Sequence, residues 1–145
     1  MNILLVEDNE GDRRLMFEAF RTTAPQTRFH LRAVQDGDEA MDYLKHKGPF
    51  KNAPAPDLII LDLNLPKKNG AEILAEIKSD KDLHFIPVAV LTSSQSPKDI
   101  RACYERHASC YLTKPSGYQE LLDLVKSIQA FWLEKVNYCS CRHAA

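Results

Sequence analysis

Four stretches of this sequence carry polar groups where an apolar run ends. Glu7 and Asp8 follow NILLV, Asp62 follows LIIL, Thr92 and Ser93 follow PVAVL, and Lys114 precedes Pro115 after CYLT. Taken singly, each is ordinary. An acid after a strand caps a helix or sits in a solvated turn, a threonine suits a strand, and a lysine is usually exposed. Gathered at one edge, they are three carboxylates, a hydroxyl and an ammonium. Three converging carboxylates repel one another and call for a divalent cation. All-oxygen donors select a hard ion, and a few carboxylates with water suit Mg²⁺. A carboxylate beside such a cation can attack phosphorus and form an acyl phosphate. Lys114 would offset charge on the phosphoryl oxygens, and the Thr92 hydroxyl could donate a hydrogen bond to one of them.

The elements that must bring these groups together are legible from periodicity. Strand-like runs lie at 2–7, 29–34, 57–61 and 86–92, and 110–115 holds a short fifth one. Between them come helical patterns: one from Gly11 that Pro25 ends, one from the Asp36 cap to about Lys47, one over Gly70–Ser79, one opened by Pro97, and a last one from Gly117 to Lys135. GPFKNAPAP (48–56) holds three prolines in nine residues and reads as an extended surface loop. Continuous apolar strands alternating with helices predict an α/β fold, a doubly wound five-stranded parallel sheet flanked by five helices. In such sheets the carboxyl ends of the strands line the ligand crevice. The acidic strand ends are therefore expected at the place where this architecture does its chemistry.

The chain has 145 residues, 44% hydrophobic and 27% charged, with a net charge of −1, as for a single globular domain. That balance offers no broad basic face for nucleic acid. No apolar run approaches the roughly 20 residues that span a bilayer, and MNILLVEDNE lacks the basic start of a signal peptide. A cytoplasmic protein with reduced cysteines is expected. Of the four cysteines, Cys139 and Cys141 fall with His143 in the tail, an incomplete set for a zinc site. A flavodoxin-like cofactor binder would need a phosphate-binding loop after the first strand, where the acidic EDNEGD stands. A phosphohydrolase with an aspartate nucleophile would need a carboxylate at the position of Asn64.

Together, Glu7-Asp8, Asp62, Thr92-Ser93 and Lys114-Pro115 resemble the receiver domain of two-component response regulators, from residue 2 to about residue 135. The resemblance implies a flavodoxin-like receiver fold over residues 1–136, with 137–145 as a tail. It implies Asp62 as phosphoacceptor and Asp8 as a Mg²⁺ ligand, with Glu7 acting mainly through water and the Asn64 backbone carbonyl completing the protein ligands. Thr92 and Lys114 would contact the phosphoryl group, and the Lys114–Pro115 bond would be cis. Tyr111 would be a switch residue, filling space vacated when Thr92 moves toward the phosphoryl group. Asn64 and Ser94 would tune dephosphorylation. Such a protein is a self-phosphorylating acceptor rather than an enzyme in the ordinary sense.

Little sequence follows the last helix, so the expectation is a single-domain regulator that signals through its own surface. The proline-rich insertion, LDLNLPKKNG and FWLEKV resemble the small response regulators of bacterial phytochromes, which implies a phytochrome-type sensor histidine kinase as phosphodonor. A receiver for a different histidine kinase, or a phosphate shuttle in a multistep relay, are the alternatives. Phe131, Trp132 and Leu133 are consecutive, and three successive residues span about 200° of a helix, more than a core-facing stripe covers. They are expected to form an apolar patch at a symmetric homodimer interface.

Overall fold

The computed structural model describes residues 1–23 and 29–135. Pro25, Cys139, Cys141 and His143 lie outside the described residues, as does the tail from 137. Along the chain come β1 (Asn2–Val6), α1 (Glu10–Thr23), β2 (His30–Val34), α2 (Gly37–Leu44), β3 (Leu58–Leu61), α3 (Gly70–Ser79), β4 (Val88–Thr92), α4 (Pro97–Glu105), β5 (Cys110–Thr113) and α5 (Tyr118–Gln129). All strand pairs are parallel, in the order β2-β1-β3-β4-β5. The α/β sheet expected from the sequence is the one observed.

The apolar strands explain the layering. Leu58–Leu61 and Val88–Thr92 are buried throughout because both faces of the sheet are covered. Leu4, Val6, Ile59, Leu61, Val88 and Val90 pack with Ile73, Leu74 and Ile77 of α3 and Cys103 of α4. The alternate residues Ile3, Leu5, Leu58, Ile60, Ala89 and Leu91 pack with Met16, Ala19 and Phe20 of α1 and Val125 and Ile128 of α5. Period-2 alternation thus assigns each residue to the α2–α4 side or to the α1/α5 side. Edge strand β2 shows the weaker pattern of a half-covered strand, with His30 and Arg32 exposed and Val34 buried.

Register brings the strand ends level. Val6 lies opposite Leu61, and Leu61 opposite Val90. The ladder runs one residue further, through Glu7 N–H to Val34 O (3.0 Å), Asp62 N–H to Val6 O (3.1 Å) and Lys114 N–H to Thr92 O (2.8 Å). Order reverses at β1, between β2 and β3, the switch point where doubly wound sheets open a crevice.

Three local expectations are corrected. The helix after Asp36 stops at Leu44 rather than near Lys47. His46 takes a left-handed φ of 56°, and Lys47 N–H closes back onto Asp42 O at 2.9 Å, the signature of a Schellman stop. The proline-rich segment is not simply extended. Gly48–Phe50 forms a 3₁₀ turn, Phe50 and Ala53 pack against the core, and the Tyr43 hydroxyl donates to Pro54 O at 3.2 Å. The last helix is not uniform either: α5 ends at Gln129 and passes into a π-helical turn, Ala130–Lys135.

Candidate functional site

Alternation decides which groups meet. Glu7, Asp62 and Lys114 continue the parity of Leu5, Ile60 and Leu112, the α1/α5 side of the sheet. Thr92 continues the parity of Val90, on the α2–α4 side, where Tyr111 also packs. The site therefore has an ionic half and a hydroxyl half, divided by the sheet edge.

In the ionic half, Glu7, Asp8 and Asp62 each bring one carboxylate oxygen to within 4.8 Å of the others. Glu7 and Asp62 are buried at 3% and 5% exposure, while Asp8 faces solvent. The Lys114 ammonium donates to Glu7 Oε1 at 2.5 Å, Asp62 Oδ2 at 3.0 Å and Asp12 Oδ2 at 3.1 Å. Burial above all, with Asp62 alongside and Lys114 opposing, pushes the Glu7 carboxyl up to about 7. Burial lowers the Lys114 ammonium, but its bonds to Glu7 and Asp62 outweigh that and leave it raised. One ammonium cannot balance this many carboxylates, so the cluster is short of positive charge. The donor set fits a hard divalent cation: oxygen atoms only, two buried carboxylates and one open to water.

Backbone donors hold the carboxylates in place. Asn64 N–H reaches Asp62 Oδ1 at 3.1 Å, and Asn9 N–H reaches Glu7 Oε2 at 3.3 Å. Arg13 ties down the turn after β1 by donating to Glu7 O (2.8 Å) and Asp8 O (2.9 Å). Asn9 also caps α1 through Asp12 N–H at 2.9 Å. Asn69 caps α3 through Glu72 N–H at 3.0 Å. Gly70 lets α3 lie against the end of β3, because a Cβ there would come within 2.3 Å of Asp62 O and 2.7 Å of Leu63 Cα.

In the hydroxyl half, Thr92 is fully buried. Its Oγ1 accepts from Asn64 Nδ2 at 3.4 Å, which joins the two halves. The Tyr111 hydroxyl donates to Ser94 O at 2.8 Å, in the loop that leaves Thr92. Below the ionic half, between α1 and α5, lies a cavity of about 120 Å³ whose apolar walls include Met16 and Leu121.

The structure thus brings together Glu7, Asp8, Asp62, Asn64, Thr92 and Lys114, with Tyr111 one loop away. It adds Asp12 and Arg13, which sequence reasoning missed. Neither ends a strand; both lie near the start of α1, and no local pattern marks them. The expected cis Lys114–Pro115 bond is not observed; no peptide bond among the described residues is cis. Trans is the lower-energy form by about 0.5–1 kcal/mol, and the three ion pairs together with the Thr92 carbonyl aim Lys114 without it. The expected patch at the end of the last helix is also corrected. Trp132 is 9% exposed and continues the Val125–Ile128 stripe into the core, whereas Phe131 is 55% exposed. The two rings meet edge to face at 5.2 Å. The Leu133 side chain lies outside the described residues.

Comparison with known proteins agrees with this geometry. The response regulator Rcp1 of Synechocystis sp. (strain ATCC 27184 / PCC 6803 / Kazusa) is 48% identical over 135 residues, 93% of this chain and 90% of that one. The phosphorylated cyanobacterial phytochrome response regulator RcpA superposes with a TM-score of 0.88 at 47% identity, covering 94% of this chain and 96% of that one. The Mn²⁺-bound form of Rcp1 superposes at 0.86 with 47% identity, over 95% and 98% of the two chains. The sequence matches the response regulator receiver domain over residues 3–126, which takes in β1 from Ile3, the other four strands and all of the polar strand ends. By sequence, by sheet order and by the groups gathered at the sheet edge, this chain belongs to the response regulator receiver domain family.

Proposed function

We propose that this protein accepts a phosphoryl group on Asp62 from a phytochrome-type sensor histidine kinase and signals by a phosphorylation-dependent change of its surface. The observation that carries the reading is the Asp62 carboxylate, buried at the sheet edge and bonded by the Lys114 ammonium at 3.0 Å, with Glu7 and Asp8 beside it. Likeness to Rcp1 and RcpA supports the phytochrome pairing.

Held in place by Asn64 N–H and Lys114, Asp62 presents an oriented carboxylate. One of its oxygens forms the new bond to phosphorus as the bond from phosphorus to the donor nitrogen breaks, and the leaving imidazole keeps the electron pair. Mg²⁺ held by Asp8, Asp62, the Asn64 backbone carbonyl and Glu7 (largely through water) would neutralise charge on the transferred group. Lys114 exchanges its bond to Asp62 for one to a phosphoryl oxygen, which keeps its ammonium paired. Thr92 turns its hydroxyl toward another phosphoryl oxygen, and Tyr111 takes the vacated space. The phosphoryl group later leaves by hydrolysis, so the chain is an acceptor that resets itself.

Two further points belong to this reading. Phe131, exposed beside the buried Trp132, is the apolar contact of a homodimer. Net charge of −1 gives nucleic acid nothing to grip, and no helix among the described residues is long and apolar enough to cross a membrane; a cytoplasmic location fits both.

The test is phosphotransfer in Mg²⁺ buffer from an autophosphorylated phytochrome kinase, with acetyl phosphate in parallel and Asp62→Asn as control in both. Transfer from the kinase that the variant abolishes, with its fold intact by circular dichroism, is the expected result. Labelling by acetyl phosphate alone would keep the acceptor and reject the kinase pairing. Labelling by neither would remove Asp62 as phosphoacceptor.

A further inference from the structure

Ser94 stands two residues beyond Thr92, and all of its polar groups are engaged. Its N–H points to Thr92 Oγ1 at 3.5 Å. Its carbonyl accepts the Tyr111 hydroxyl at 2.8 Å. Its own hydroxyl donates to Asp99 Oδ2 at 2.7 Å and accepts from Ser96 N–H at 3.3 Å. Asp99 lies in the first turn of α4, whose N-cap residue, Ser96, makes no side-chain cap. The carboxylate instead reaches back past the cap to hold the loop. From the same helix the Tyr104 hydroxyl accepts Tyr111 N–H at 3.1 Å. One helix therefore grips both ends of Tyr111, directly through Tyr104 and indirectly through Asp99 and Ser94.

A short hydrogen bond to a carboxylate is among the stronger ones a half-buried loop can make. Any movement of Thr92 that carries Ser94 with it must break either the Asp99 bond or the Tyr111 bond. We propose that Asp99 is a positioning residue that locks the Thr92–Ser94 segment, and through it Tyr111, in the arrangement seen here. This rests on the reading of Asp62 as phosphoacceptor and of Thr92 and Tyr111 as the groups that move. Asp99 touches neither phosphoryl group nor cation; it sets how much of the population has the loop released before phosphorylation. Releasing it enlarges the competent fraction, and phosphorylation quickens in proportion.

The experiment measures two things on Asp99→Ala, Asp99→Asn and Ser94→Ala in the full chain. One is the initial rate of Asp62 phosphorylation by acetyl phosphate in Mg²⁺. The other is the Tyr111 ring resonance in the unphosphorylated protein, assigned with Tyr111→Phe. Asp99→Ala and Ser94→Ala are expected to raise the rate about tenfold or more, the range one charged hydrogen bond supports, and to average the Tyr111 signal over several orientations. Asp99→Asn keeps a neutral acceptor for the Ser94 hydroxyl and is expected to raise the rate only a few-fold, well short of Asp99→Ala. Unchanged rate and unchanged ring signal in Asp99→Ala would overturn the proposal. So would an Asp99→Asn effect equal to that of Asp99→Ala, which would trace it to lost charge rather than lost position. If the native protein is not phosphorylated at all, the phosphoacceptor reading falls, and the ring resonance alone then upholds or rejects the lock.

Discussion

Among the described residues, Lys114 is the cation paired with the Glu7, Asp12 and Asp62 carboxylates, and two substitutions separate its role from that of the carboxylates. Lys114→Ala leaves Glu7, Asp12 and Asp62 facing one another without a counter-charge. Breaking such a half-buried set is expected to cost about 2–4 kcal/mol, seen as a lower Tm in EDTA that Mg²⁺ largely restores. Glu7→Gln works in the opposite sense. It removes one of the repelling charges, so the metal-free protein is expected to melt a few degrees higher while the gain in Tm on adding Mg²⁺ shrinks. A Mg²⁺ gain in Glu7→Gln as large as in the native chain would detach Glu7 from the cation site. Thermal melts of the three proteins with and without Mg²⁺ decide both points. Glu7, Asp8, Asp62, Thr92 and Lys114 could be read from the sequence because each ends an apolar strand. Asp12 and Arg13 could not, because they come from a helix whose rotation against the sheet is set by tertiary packing of Met16, Ala19 and Phe20.

The helices end in a way that local pattern hides. α2 and α4 both stop with a histidine in the left-handed region, His46 at φ 56° and His107 at φ 67°. In the second, Ala108 N–H returns to Cys103 O at 3.0 Å and His107 N–H to Tyr104 O at 3.0 Å. Glycine is the usual residue at this position, and a side chain there carries strain of about 1 kcal/mol. His107→Gly is expected to stabilise the fold by about that amount, measured by urea unfolding at constant m. A loss of stability would mean that the imidazole makes a contact worth more than the strain. Gly70→Ala tests the opposite case, since its Cβ would strike the backbone of Asp62 and Leu63. Relief requires α3 to shift, so a cost of about 2 kcal/mol or more and weaker Mg²⁺ binding are expected together. Strands such as LIIL and VAVLT announced themselves by continuous apolar character, whereas the stops fall on histidine instead of the glycine that would mark them, and Phe50 packs against a core built from several elements.

At the scale of the whole molecule, two aromatic neighbours do different work. Three consecutive apolar residues at the end of the last helix promised one patch, but periodicity alone could not say which of them the sheet would claim. Trp132 follows Val125 and Ile128 at helical spacing and closes the core beside Phe20 and Phe29, whose rings meet at 5.0 Å. Phe131 is left outside, its ring perpendicular to the indole. The substitution suited to probing self-association is therefore at Phe131. Trp132→Ala should remove about 3–5 kcal/mol of stability, the cost of an emptied core site, and would confuse unfolding with dissociation. Phe131→Ser removes apolar surface that is already largely in water and should change stability by only about 0.5 kcal/mol. If this face joins two copies, sedimentation of Phe131→Ser will show the dimer weakened at unchanged Tm. A sedimentation coefficient that stays dimeric would move the interface elsewhere on the chain, and one that is monomeric for the native protein as well would leave Phe131 without a partner copy.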